Sequence, residues 1–382
     1  MRFLVIGAGK QGTACAFDLL RQPATTSVVI ADITVGQVPA FLDPWRGRNL
    51  ELLRLDLNDE AAAKAAIARA DCVCSAAPYL FNAKLTRLAI EAGKHCCDLG
   101  GNTEIVFEQK AMHDLAVQRG VSVVPDCGVA PGMVNILAGE GIRRLDVAEK
   151  VKIYVGGLPQ QPEPPLNYMV VYSLEGCLDY YTTPSWVLRN GKRTQVEALS
   201  ELEELEFPAP WGKLEAFHTG GGISTMPFSW EGKVQTMEYK TLRYPGHVAI
   251  IKPIRALGLI GNDPIEVEGV KVRPRAVFIA ASAPVLVNPQ AKDLIALRVD
   301  VTGLKNGRPA GTRWQTVDLY DEEHHVTAMM RTTGYSLAIT AIMQLDGRIP
   351  KPGVYVPDEI VPAQPMIDEL ARRGIVLRET AL

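Results

Sequence analysis

The sequence has no surplus of charge of either sign, no basic run and no RNA-binding aromatic pattern. Its 40 Lys and Arg residues against 43 Asp and Glu leave a formal net charge of −3. A charge this small gives no overall field that would attract nucleic acid or an anionic membrane. These absences exclude the nucleic-acid-binding and membrane-surface classes and leave an ordinary folded protein, long enough for two domains.

Long apolar runs are also missing. The longest, AVFIAASAPVLV at 276–287, is too short to span a bilayer and contains Pro284. The opening MRFLVIGAG has a short apolar run that ends in glycines, so we interpret it as a first strand and not as a signal peptide. We therefore expect a cytoplasmic location.

The seven cysteines do not have the spacing of a metal site. Cys72 and Cys74 lie in DCVCSAAP, and Cys96 and Cys97 lie in HCCDLGG, two segments that read as buried strands. Buried thiols pack as small apolar side chains, whereas a zinc site needs paired Cys or His clusters at ligand spacing. We predict no metal and a reducing compartment.

The first clear motif lies in FLVIGAGKQGTACAFDLL, which predicts a strand, a glycine-rich turn and a helix. Gly7, Gly9 and Gly12 form the pattern G-x-G-x-x-G, with Lys10 and Gln11 inside it. The three glycines allow a tight turn, close approach of a pyrophosphate and packing of the helix on the strand. The helix amide end favours the pyrophosphate, so the motif predicts a dinucleotide site.

An acidic residue at the end of the second predicted strand indicates which dinucleotide binds. Asp32 follows Gly12 by 20 residues, and no arginine follows it directly. A carboxylate there accepts the ribose hydroxyls of the adenosine and repels a 2′-phosphate, so we predict NAD and not NADP. Asp56, after the third strand, is predicted to cap the adenine.

Strands and helices continue to alternate up to about residue 128, which predicts a doubly wound parallel sheet of the Rossmann type. Ligands of such sheets bind beyond the carboxyl ends of the strands. The segments APY and DLGGN follow the fourth and fifth strands. We therefore predict cofactor contacts, near the nicotinamide, from Ala77, Pro78, Leu99 and Gly100.

We assign residues 1–128 to this first, dinucleotide-binding domain, and the sequence pattern changes in the part that follows. Residues 129–330 show alternating strands and two hairpin signals, Asn190-Gly191 and Asn306-Gly307. They predict a second, α+β domain with a mainly antiparallel sheet. Residues 331–382 are mainly helical, and we expect them to return onto the dinucleotide domain.

The stretch EYKTLRYPGH, at 238–247, places several polar groups at a predicted strand–helix junction. Arg243 offers a planar fork that matches a carboxylate. Pro245 suits the first turn of the following helix, whose amide end also favours an anion. This junction is therefore a candidate site for a small anionic molecule.

Several motifs taken together resemble one enzyme family. They are VIGAGKQG (5–12), AAPY (76–79), DLGGN (98–102), CGVAPGM (127–133), KTLRYPGH (240–247) and LDGRIPKPGVYVPDE (345–359). The first is generic to dinucleotide folds, but the combination with GVAPG and TLRYPGH is more specific. The sequence resembles the saccharopine dehydrogenase family and, within it, the lysine 6-dehydrogenases.

The resemblance implies that NAD oxidises the side-chain amine of L-lysine, or of a lysine-like amino acid, to the semialdehyde. Ammonia would be released, and the product would cyclise to piperideine-6-carboxylate. It also implies an inserted domain with substrate contacts and a subunit interface, hence a homodimer. Carried onto this chain, the substrate contacts are Tyr79, Arg243 and Tyr244, with Asp98 taking the ammonium group.

The general base stays open at this point. His247 has an ordinary pKa of about 6.5, which suits proton transfer at neutral pH. Lys240 serves only if burial lowers its pKa. Asp126 is the third candidate.

Two alternative functions also stay open. A saccharopine or carboxynorspermidine dehydrogenase would need a second carboxylate anchor, such as Arg189 or Arg331, facing the pocket. A non-catalytic dinucleotide sensor would lack the Arg243–His247 cluster or turn it away from the nicotinamide.

Overall fold

The computed structural model describes residues 1–36, 38–288 and 290–382, and its first part alternates strands with helices. In chain order, the elements of this part are β1 (Arg2–Ile6), α1 (Lys10–Leu20), β2 (Ser27–Asp32), β3 (Leu50–Arg54), α2 (Glu60–Ala68), β4 (Cys72–Ser75), α3 (Asn82–Glu91), β5 (His95–Asp98), α4 (Thr103–Lys110), α5 (His113–Arg119) and β6 (Ser122–Val124). Short 3₁₀ turns cover Ala40–Trp45 and Tyr79–Phe81.

The rest of the chain adds longer strands and further helices. These are α6 (Met133–Arg143), β7 (Val147–Pro159), α7 (Leu174–Thr182), β8 (Ser185–Arg189), β9 (Lys192–Val196), β10 (Glu203–Phe207), β11 (Gly212–His218), α8 (Met226–Ser229), β12 (Val234–Arg243), α9 (His247–Ala256), β13 (Ile265–Val267), β14 (Val270–Val272), α10 (Pro274–Leu286), β15 (Asp293–Lys305), β16 (Arg308–Leu319), α11 (Ala328–Leu345), β17 (Gly353–Val354), α12 (Pro357–Ile360), α13 (Ala363–Arg372) and β18 (Arg378–Ala381).

The first sheet is parallel throughout the described residues. Its strand order is β17-β6-β5-β4-β1-β2-β3, so the order reverses beside β1. The central strands are buried and rich in Val, Leu, Ile and Cys, as strands covered by helices on both faces are. The predicted doubly wound sheet is confirmed, and its switch point places a crevice at the carboxyl ends of β1 and β4.

The second sheet is mixed and mainly antiparallel, as predicted. Its order is β10-β11-β12-β7-β15-β16-β18, with β8 paired to β12 and β9 paired to β8. Among the described pairs of this sheet, only β12 and β7 run parallel. Both predicted hairpins are confirmed: β8 turns into β9 at Asn190-Gly191, and β15 turns into β16 at Asn306-Gly307. All four turn residues have positive φ, as the favoured two-residue hairpin turn requires.

The C-terminal segment contacts both sheets. Helix α11 packs on α1 at Gly334, where a Cβ would lie 2.7 Å from the Cβ of Ala14. Asp18 of α1 forms a buried ion pair with Arg373, at 2.6 Å. Strand β17 extends the first sheet beside β6, and β18 extends the second beside β16.

The cysteines lie inside the molecule, and all seven have free thiols. The sulfur atoms of Cys72, Cys74 and Cys97 lie within 4.8 Å of one another. They belong to the apolar core between the first sheet and its helices, which agrees with their interpretation as packing residues. Among the described residues, no helix combines the length and apolar character needed to cross a bilayer.

Candidate active site

A cavity of about 1010 Å³ lies where the first sheet meets the second domain. One wall is formed by the loops after β4, β5 and β6, which contribute Ala76–Tyr79, Leu99–Thr103 and Gly128–Pro131. The other wall comes from α7, the loop after β11 and one face of β12. The cavity therefore joins the crevice of the parallel sheet to the side chains of the second domain.

The glycine-rich turn has the geometry that a dinucleotide needs. Gly7 has a φ of 105°, and a Cβ there would lie 2.7 Å from the carbonyl oxygen of Ala76. A Cβ on Gly12 would lie 1.9 Å from the carbonyl oxygen of Gly7. A Cβ on Gly9 would meet no described atom within 4 Å. Gly7 and Gly12 thus keep the turn and helix together, while the open side of Gly9 leaves room for a pyrophosphate.

The predicted cofactor residues divide into two groups along one rim of the sheet. Those that line the cavity are Gln11, Ala77, Pro78, Leu99 and Gly100. Those that lie beyond it, towards the ends of β1, β2 and β3, are Gly7, Gly9, Lys10, Gly12, Asp32 and Asp56. The Oε1 atom of Gln11 is buried and accepts no hydrogen bond from the described residues, so it is available to a ligand in the cavity.

Asp32 holds the turn from the end of β2. Its two oxygens accept hydrogen bonds from the backbone amides of Ala8, at 2.8 Å, and Thr34, at 2.9 Å. Each carboxylate oxygen has a further lone pair for a ribose hydroxyl. Arg54 of β3 is the register neighbour of Asp32 and is exposed. The acid that the sequence predicts to disfavour a 2′-phosphate therefore has a cation beside it, which the linear sequence did not reveal.

Strand β12 divides the polar residues of EYKTLRYPGH between its two faces. Tyr239, Thr241 and Arg243 line the cavity. Lys240 and Tyr244 lie on the opposite face, as the two-residue period of a strand requires. The strand sits between β11 and β7, inside the sheet.

Arg243 is a buried cation without an acidic partner among the described residues. Its side chain is 4% exposed, its guanidinium stacks 4.5 Å from the ring of Tyr168, and Nη1 donates to the carbonyl oxygen of Leu242 at 2.8 Å. Removing a charge from water is costly unless an opposite charge or hydrogen bonds replace the hydration. The cavity therefore offers its strongest binding site to an anion.

His247 stands behind Arg243 and supports it. Its Nδ1 lies 3.1 Å from the carbonyl oxygen of Leu166, which assigns the proton to Nδ1, so Nε2 accepts from the hydroxyl of Tyr181 at 2.9 Å. Arg243 Nε donates to the same hydroxyl oxygen at 3.2 Å. The three side chains form a hydrogen-bonded chain that fixes the guanidinium.

The prediction of His247 as general base is wrong for a physical reason. The ring is 1% exposed and does not line the cavity. Burial, together with the nearby Arg243 cation, lowers its pKa to about 3. Both ring nitrogens already have partners, so His247 stays neutral and takes no proton near neutral pH.

Lys240 and Tyr244 are also corrected by the structure. Lys240 Nζ bonds the carboxylate of Glu203 at 2.8 Å and the carbonyl oxygen of Glu201 at 2.7 Å, away from the cavity. Tyr244 donates to the carbonyl oxygen of Pro159 at 2.9 Å inside another apolar cluster. Neither residue can act as base or as pocket wall, because the strand alternation points them to the far face.

The amide end of α9 is not free for a substrate. The helix begins at His247, two residues later than the predicted first turn at Pro245. The carboxylate of Glu215 accepts from the amides of Gly246, at 3.0 Å, and Val248, at 2.7 Å. A protein carboxylate therefore already occupies the anion-binding end of this helix.

Asp98 does not face the cavity either. Its oxygens accept from the amide of Gly100 at 2.7 Å and from the side-chain amide of Gln109 at 2.6 Å. Burial raises its pKa to about 6, although these hydrogen bonds lower it in part. The predicted contact with a substrate ammonium group is thus replaced by support of the loop after β5. Tyr79 does line the cavity, half-exposed and beside Gly101.

Two family models cover nearly the whole chain. The model described as the saccharopine dehydrogenase NADP binding domain matches residues 3–124. The model described as the saccharopine dehydrogenase C-terminal domain matches residues 128–375, well over half of the sequence. The chain belongs to the saccharopine dehydrogenase family. The family resemblance is confirmed, and the narrower likeness to lysine 6-dehydrogenases stays a prediction.

Individual members of the saccharopine dehydrogenase family are distant from this chain. The saccharopine dehydrogenase [NADP(+), L-glutamate-forming] of Schizosaccharomyces pombe is 23% identical, over 95% of each chain. The mitochondrial alpha-aminoadipic semialdehyde synthase of Mus musculus is 24% identical over 83% of this chain and 41% of its own length. The apo saccharopine dehydrogenase of Saccharomyces cerevisiae superposes with a TM-score of 0.80, at 20% identity, over 100% and 99% of the two chains.

A structure with a bound dinucleotide also has this fold. The homospermidine synthase of Legionella pneumophila in complex with NAD superposes with a TM-score of 0.70, at 12% identity, over 100% of this chain and 91% of that one. At these identities the two structural matches establish the fold of this family member and nothing narrower.

Asp126 is the third candidate base, and its placement in this family member is unusual. It has a positive φ of 62°, it is 1% exposed, and neither carboxylate oxygen accepts a hydrogen bond of normal geometry from the described residues. Burial raises its pKa to about 7, with Ser224 lowering it in part. Asp126 does not line the cavity but lies directly behind Gly100, which does.

We expect Asp126→Asn to flatten the pH dependence of stability. The native pKa, about 7, lies above the ordinary value of about 3.9, so the folded protein holds this proton more tightly than the unfolded chain does. The contribution of this group to the free energy of unfolding therefore falls as pH rises from about 4 to about 7. Urea unfolding at pH 5 and pH 8 measures the free energy of unfolding of both proteins. The value for the variant should rise relative to that of the parent between pH 5 and pH 8.

The exposed Asp114 of α5 provides the matched control for that measurement. Asp114→Asn changes the same chemical group and should leave the difference between pH 5 and pH 8 unaltered. An equal pH response in the parent and in Asp126→Asn would contradict the raised pKa.

Sequence reasoning missed the aromatic wall of the cavity. Tyr180 and Tyr181 of α7 line it together with Tyr239. The loop after β11, with three successive glycines at 220–222, accommodates these rings: a Cβ on Gly222 would lie 2.3 Å from the ring of Tyr239. The two-residue alternation of β12 puts Tyr239 on the same face as Arg243, so Tyr239 could have been predicted as a cavity residue. No sequence pattern predicts that α7 packs beside this strand.

Tyr181→Phe tests the chain of hydrogen bonds behind Arg243. The change removes the oxygen that Arg243 Nε bonds and leaves the ring in place, so the guanidinium loses one of its fixed contacts. We expect KM for the amino-acid substrate to rise about 5- to 10-fold, as the loss of one hydrogen bond of about 1 kcal/mol predicts. Steady-state kinetics measures it; Tyr180→Phe, on the neighbouring cavity residue, should change KM less.

Proposed function

We propose that this protein oxidises the side-chain amine of L-lysine, or of a lysine-like amino acid, with NAD. The observation that carries the proposal is the buried Arg243 guanidinium, which has no acidic partner among the described residues and lines the same cavity as the dinucleotide rim. A guanidinium in this position suits the α-carboxylate of an amino acid. When bound, the nicotinamide would supply the hydride acceptor.

The charges around the cavity favour a substrate with one carboxylate and one cationic amine. Arg243 is the only cationic side chain among the described residues that line the cavity. Two acids, Glu104 and Asp179, also line it. Asp179 is ion-paired with Arg275, whereas Glu104 is exposed in the first turn of α4. Acidic groups at the rim attract an amino acid whose side chain is an ammonium group.

The saccharopine reaction is the second candidate, because the matched relatives carry that name over most of this chain. Saccharopine has the two carboxylates of its glutamate part in addition to that of lysine. The proposed second anchors do not line the cavity: Arg189 is paired with Glu201 and Glu238, and Arg331 with Asp318 and Asp321. The further carboxylates would therefore find no free cation among the described lining residues.

A dinucleotide sensor is disfavoured by the same arrangement. Arg243 points into the cavity that the loops after β4 and β5 line. A protein that only reported the redox state of the dinucleotide would gain nothing from an unpaired guanidinium there, since such a charge costs free energy. Binding of a substrate anion would offset this cost by pairing the guanidinium charge.

The base for this reaction is proposed to be Asp126, acting through a relay. Its carboxyl lies behind Gly100, and its raised pKa suits proton exchange near neutral pH. Ser224 lines the cavity, and its buried hydroxyl lies close enough to Asp126 to lower the pKa of that carboxyl, although it makes no hydrogen bond of normal geometry with the described residues. The proton of the amine would pass to Asp126 by way of this hydroxyl. A cytoplasmic location stays a prediction.

An absorbance assay at 340 nm tests the proposal. The full chain is incubated with NAD or NADP and with L-lysine, L-ornithine or saccharopine. Formation of reduced cofactor with lysine and NAD, together with release of ammonia, is the expected result. Turnover with saccharopine alone would replace the proposal with the second candidate, and cofactor binding without turnover of any substrate would point to the sensor.

A further inference from the structure

Among the described residues, no free acid lies beside Arg243 to neutralise the α-ammonium of an amino acid. That ammonium group is attached to the same carbon as the carboxylate, so a carboxylate held by Arg243 would bring it within about 4–6 Å of the guanidinium. Like charges at this separation repel strongly in a buried site, because little water screens them. A site built for a zwitterion therefore needs an acid next to the arginine.

The acid that lies next to Arg243 in the strand register is already used. Glu215 of β11 is the register neighbour of Arg243. Its two carboxylate oxygens accept hydrogen bonds from the amides of Gly246 and Val248, at the start of α9. Glu215 is 5% exposed and does not line the cavity. Its charge is therefore not available to a ligand.

The other acids near the cavity are no better placed. Asp98 and Asp126 do not line it, whereas Glu104 and Asp179 do. Asp179 already has an arginine as its ion-pair partner. Glu104 belongs to the opposite wall, where it is exposed in the first turn of α4. An α-ammonium group would thus meet the charge of Arg243 with no acid to offset the repulsion.

Two tyrosines hold the guanidinium of Arg243. The ring of Tyr168 stacks on it at 4.5 Å, and the hydroxyl oxygen of Tyr181 accepts from Nε at 3.2 Å. Burial raises the pKa of both hydroxyls, so both phenols are neutral at pH 7. These neutral partners leave the cation able to bind one anion, and they offer no negative charge to a second cation.

The cavity leaves room for a substituent on the substrate. The turn at Gly7 and Gly9 and the ribose-side acid Asp32 lie beyond it. Its volume of about 1010 Å³ is therefore left to the nicotinamide end of the cofactor and to the substrate. Pockets for drug-sized ligands usually enclose about 300–1,000 Å³, so this volume exceeds what a small amino acid needs.

The part of the cavity wall that continues from α7 has no charged side chain among the described residues. It consists of Thr183 and Pro184, of Ser185 and Trp186 at the start of β8, and of Gln195 from β9. Hydroxyl and amide groups beside an indole ring suit a neutral amide, which needs both hydrogen-bond partners and an apolar surface.

We infer that the preferred substrate is an Nα-acyl-L-lysine, a lysine whose α-nitrogen is part of an amide. The inference rests on the proposed function, because it requires oxidation of the side-chain amine with NAD. Arg243 binds the carboxylate, and the acyl group lies against the uncharged wall that continues from α7. Acylation removes the α-ammonium charge, so the substrate brings one anion to one unpaired guanidinium.

The reaction has the same balance as with free lysine. The side-chain ammonium compound, NAD⁺ and water give an aldehyde, an ammonium ion, NADH and a proton. A C–H bond at Cε breaks as a hydride leaves, and the C–N bond breaks when the oxygen of water replaces the nitrogen. The acylated α-nitrogen does not close a ring on the aldehyde, because its lone pair is delocalised in the amide. The product therefore stays an open-chain aldehyde.

Initial rates of NADH formation by the full chain test the inference. Nα-acetyl-L-lysine and L-lysine are compared at pH 7 with saturating NAD. We expect kcat/KM for Nα-acetyl-L-lysine to be about 10- to 100-fold higher, mainly through a lower KM, because one like-charge repulsion is removed. Nε-acetyl-L-lysine is the matched control: the acetyl group blocks the reacting nitrogen, and no NADH should form.

The pH dependence of this comparison shows whether charge is the cause. The α-ammonium group of L-lysine loses its proton in the alkaline range, as α-amino groups do from about pH 8 upwards. The side-chain amine titrates in both compounds, so its effect largely cancels in the ratio of their kcat/KM values. The advantage of Nα-acetyl-L-lysine should therefore shrink between pH 7 and pH 10.

The outcomes separate this inference from the proposed function. A kcat/KM for L-lysine that equals or exceeds that for Nα-acetyl-L-lysine at pH 7 would overturn the inference and leave the proposed function intact. An advantage that stays constant with pH would also count against it, because the missing acid could not then be the cause. No NADH from either compound would overturn the proposed function and the inference with it.

Discussion

Arg243→Ala is expected to raise KM for the amino-acid substrate sharply and to lower kcat/KM about 100- to 1000-fold. A bidentate pair between a guanidinium and a carboxylate comprises two charge-assisted hydrogen bonds of about 1.5–3 kcal/mol each, and every 1.4 kcal/mol is a factor of ten. Because the side chain lies in the second domain and not on the glycine-rich turn, the affinity for NAD should stay the same. Steady-state kinetics and NADH fluorescence titration measure the two quantities.

Two further variants separate the carboxylate role from structural support. Arg243→Lys keeps the charge and loses the planar fork, so it should recover only part of the lost kcat/KM. Arg298→Ala removes another buried arginine. Arg298 belongs to strand β15, lies outside the cavity and stacks 4.5 Å from the ring of Phe207. That control should lower the melting temperature with little effect on KM. An unchanged KM in Arg243→Ala would remove the carboxylate role altogether.

Asp32→Asn is expected to shift the ratio of kcat/KM for NAD to that for NADP about 100-fold or more towards NADP. The charged carboxylate favours ribose hydroxyls and repels a 2′-phosphate, so its neutralisation weakens NAD and relieves the repulsion. Asparagine keeps an acceptor oxygen for the amide of Ala8, which Asp32 bonds at 2.8 Å, and the glycine-rich turn should hold its shape. Initial rates with both cofactors provide the ratio.

A substitution of Arg54 extends this measurement to the origin of the preference between NAD and NADP. Arg54 lies next to Asp32 in the strand register and is exposed, so we expect it to attract a 2′-phosphate once the charge of Asp32 is removed. Adding Arg54→Ala to Asp32→Asn should reduce the gained NADP activity and leave NAD activity alone. A parent protein that already prefers NADP, as the name of the Schizosaccharomyces pombe relative indicates for that enzyme, would refute the proposed preference for NAD.

The pattern of the sequence was sufficient to predict the two architectures. Alternating strands and helices, with glycines at fixed spacing, determine a parallel sheet and its turn through local sterics and burial. The Asn-Gly pairs predicted both long hairpins for the same reason, since positive φ values are a property of one or two residues. Local chemistry also singled out Arg243 as a candidate anion site, because a planar guanidinium suits a carboxylate, and its role in binding a substrate stays a prediction.

The site around Arg243 was not predictable in the same way. His247 looks like a base in sequence, but burial at the start of α9, together with the nearby Arg243 cation, lowers its pKa to about 3. The sequence leaves Lys240 as a candidate base, but in the folded chain Glu203 from another strand pairs with its ammonium group. In the sequence, Asp98 and Asp126 are both acids at or just after the end of a strand. In the structure the Asp98 carboxylate accepts a hydrogen bond from Gln109, whereas that of Asp126 has no such partner.

The sequence by itself therefore determined the fold class, the glycine-rich turn of the dinucleotide rim and Arg243 as a candidate for binding an anion, because these depend on residues that are close together along the chain. Tertiary structure decided which polar groups face the cavity and which protonation states they have. Those properties depend on desolvation and on partners contributed by distant segments, such as Tyr181 for both Arg243 and His247. Burial and charge act through space, and a linear pattern records only the neighbours along the chain.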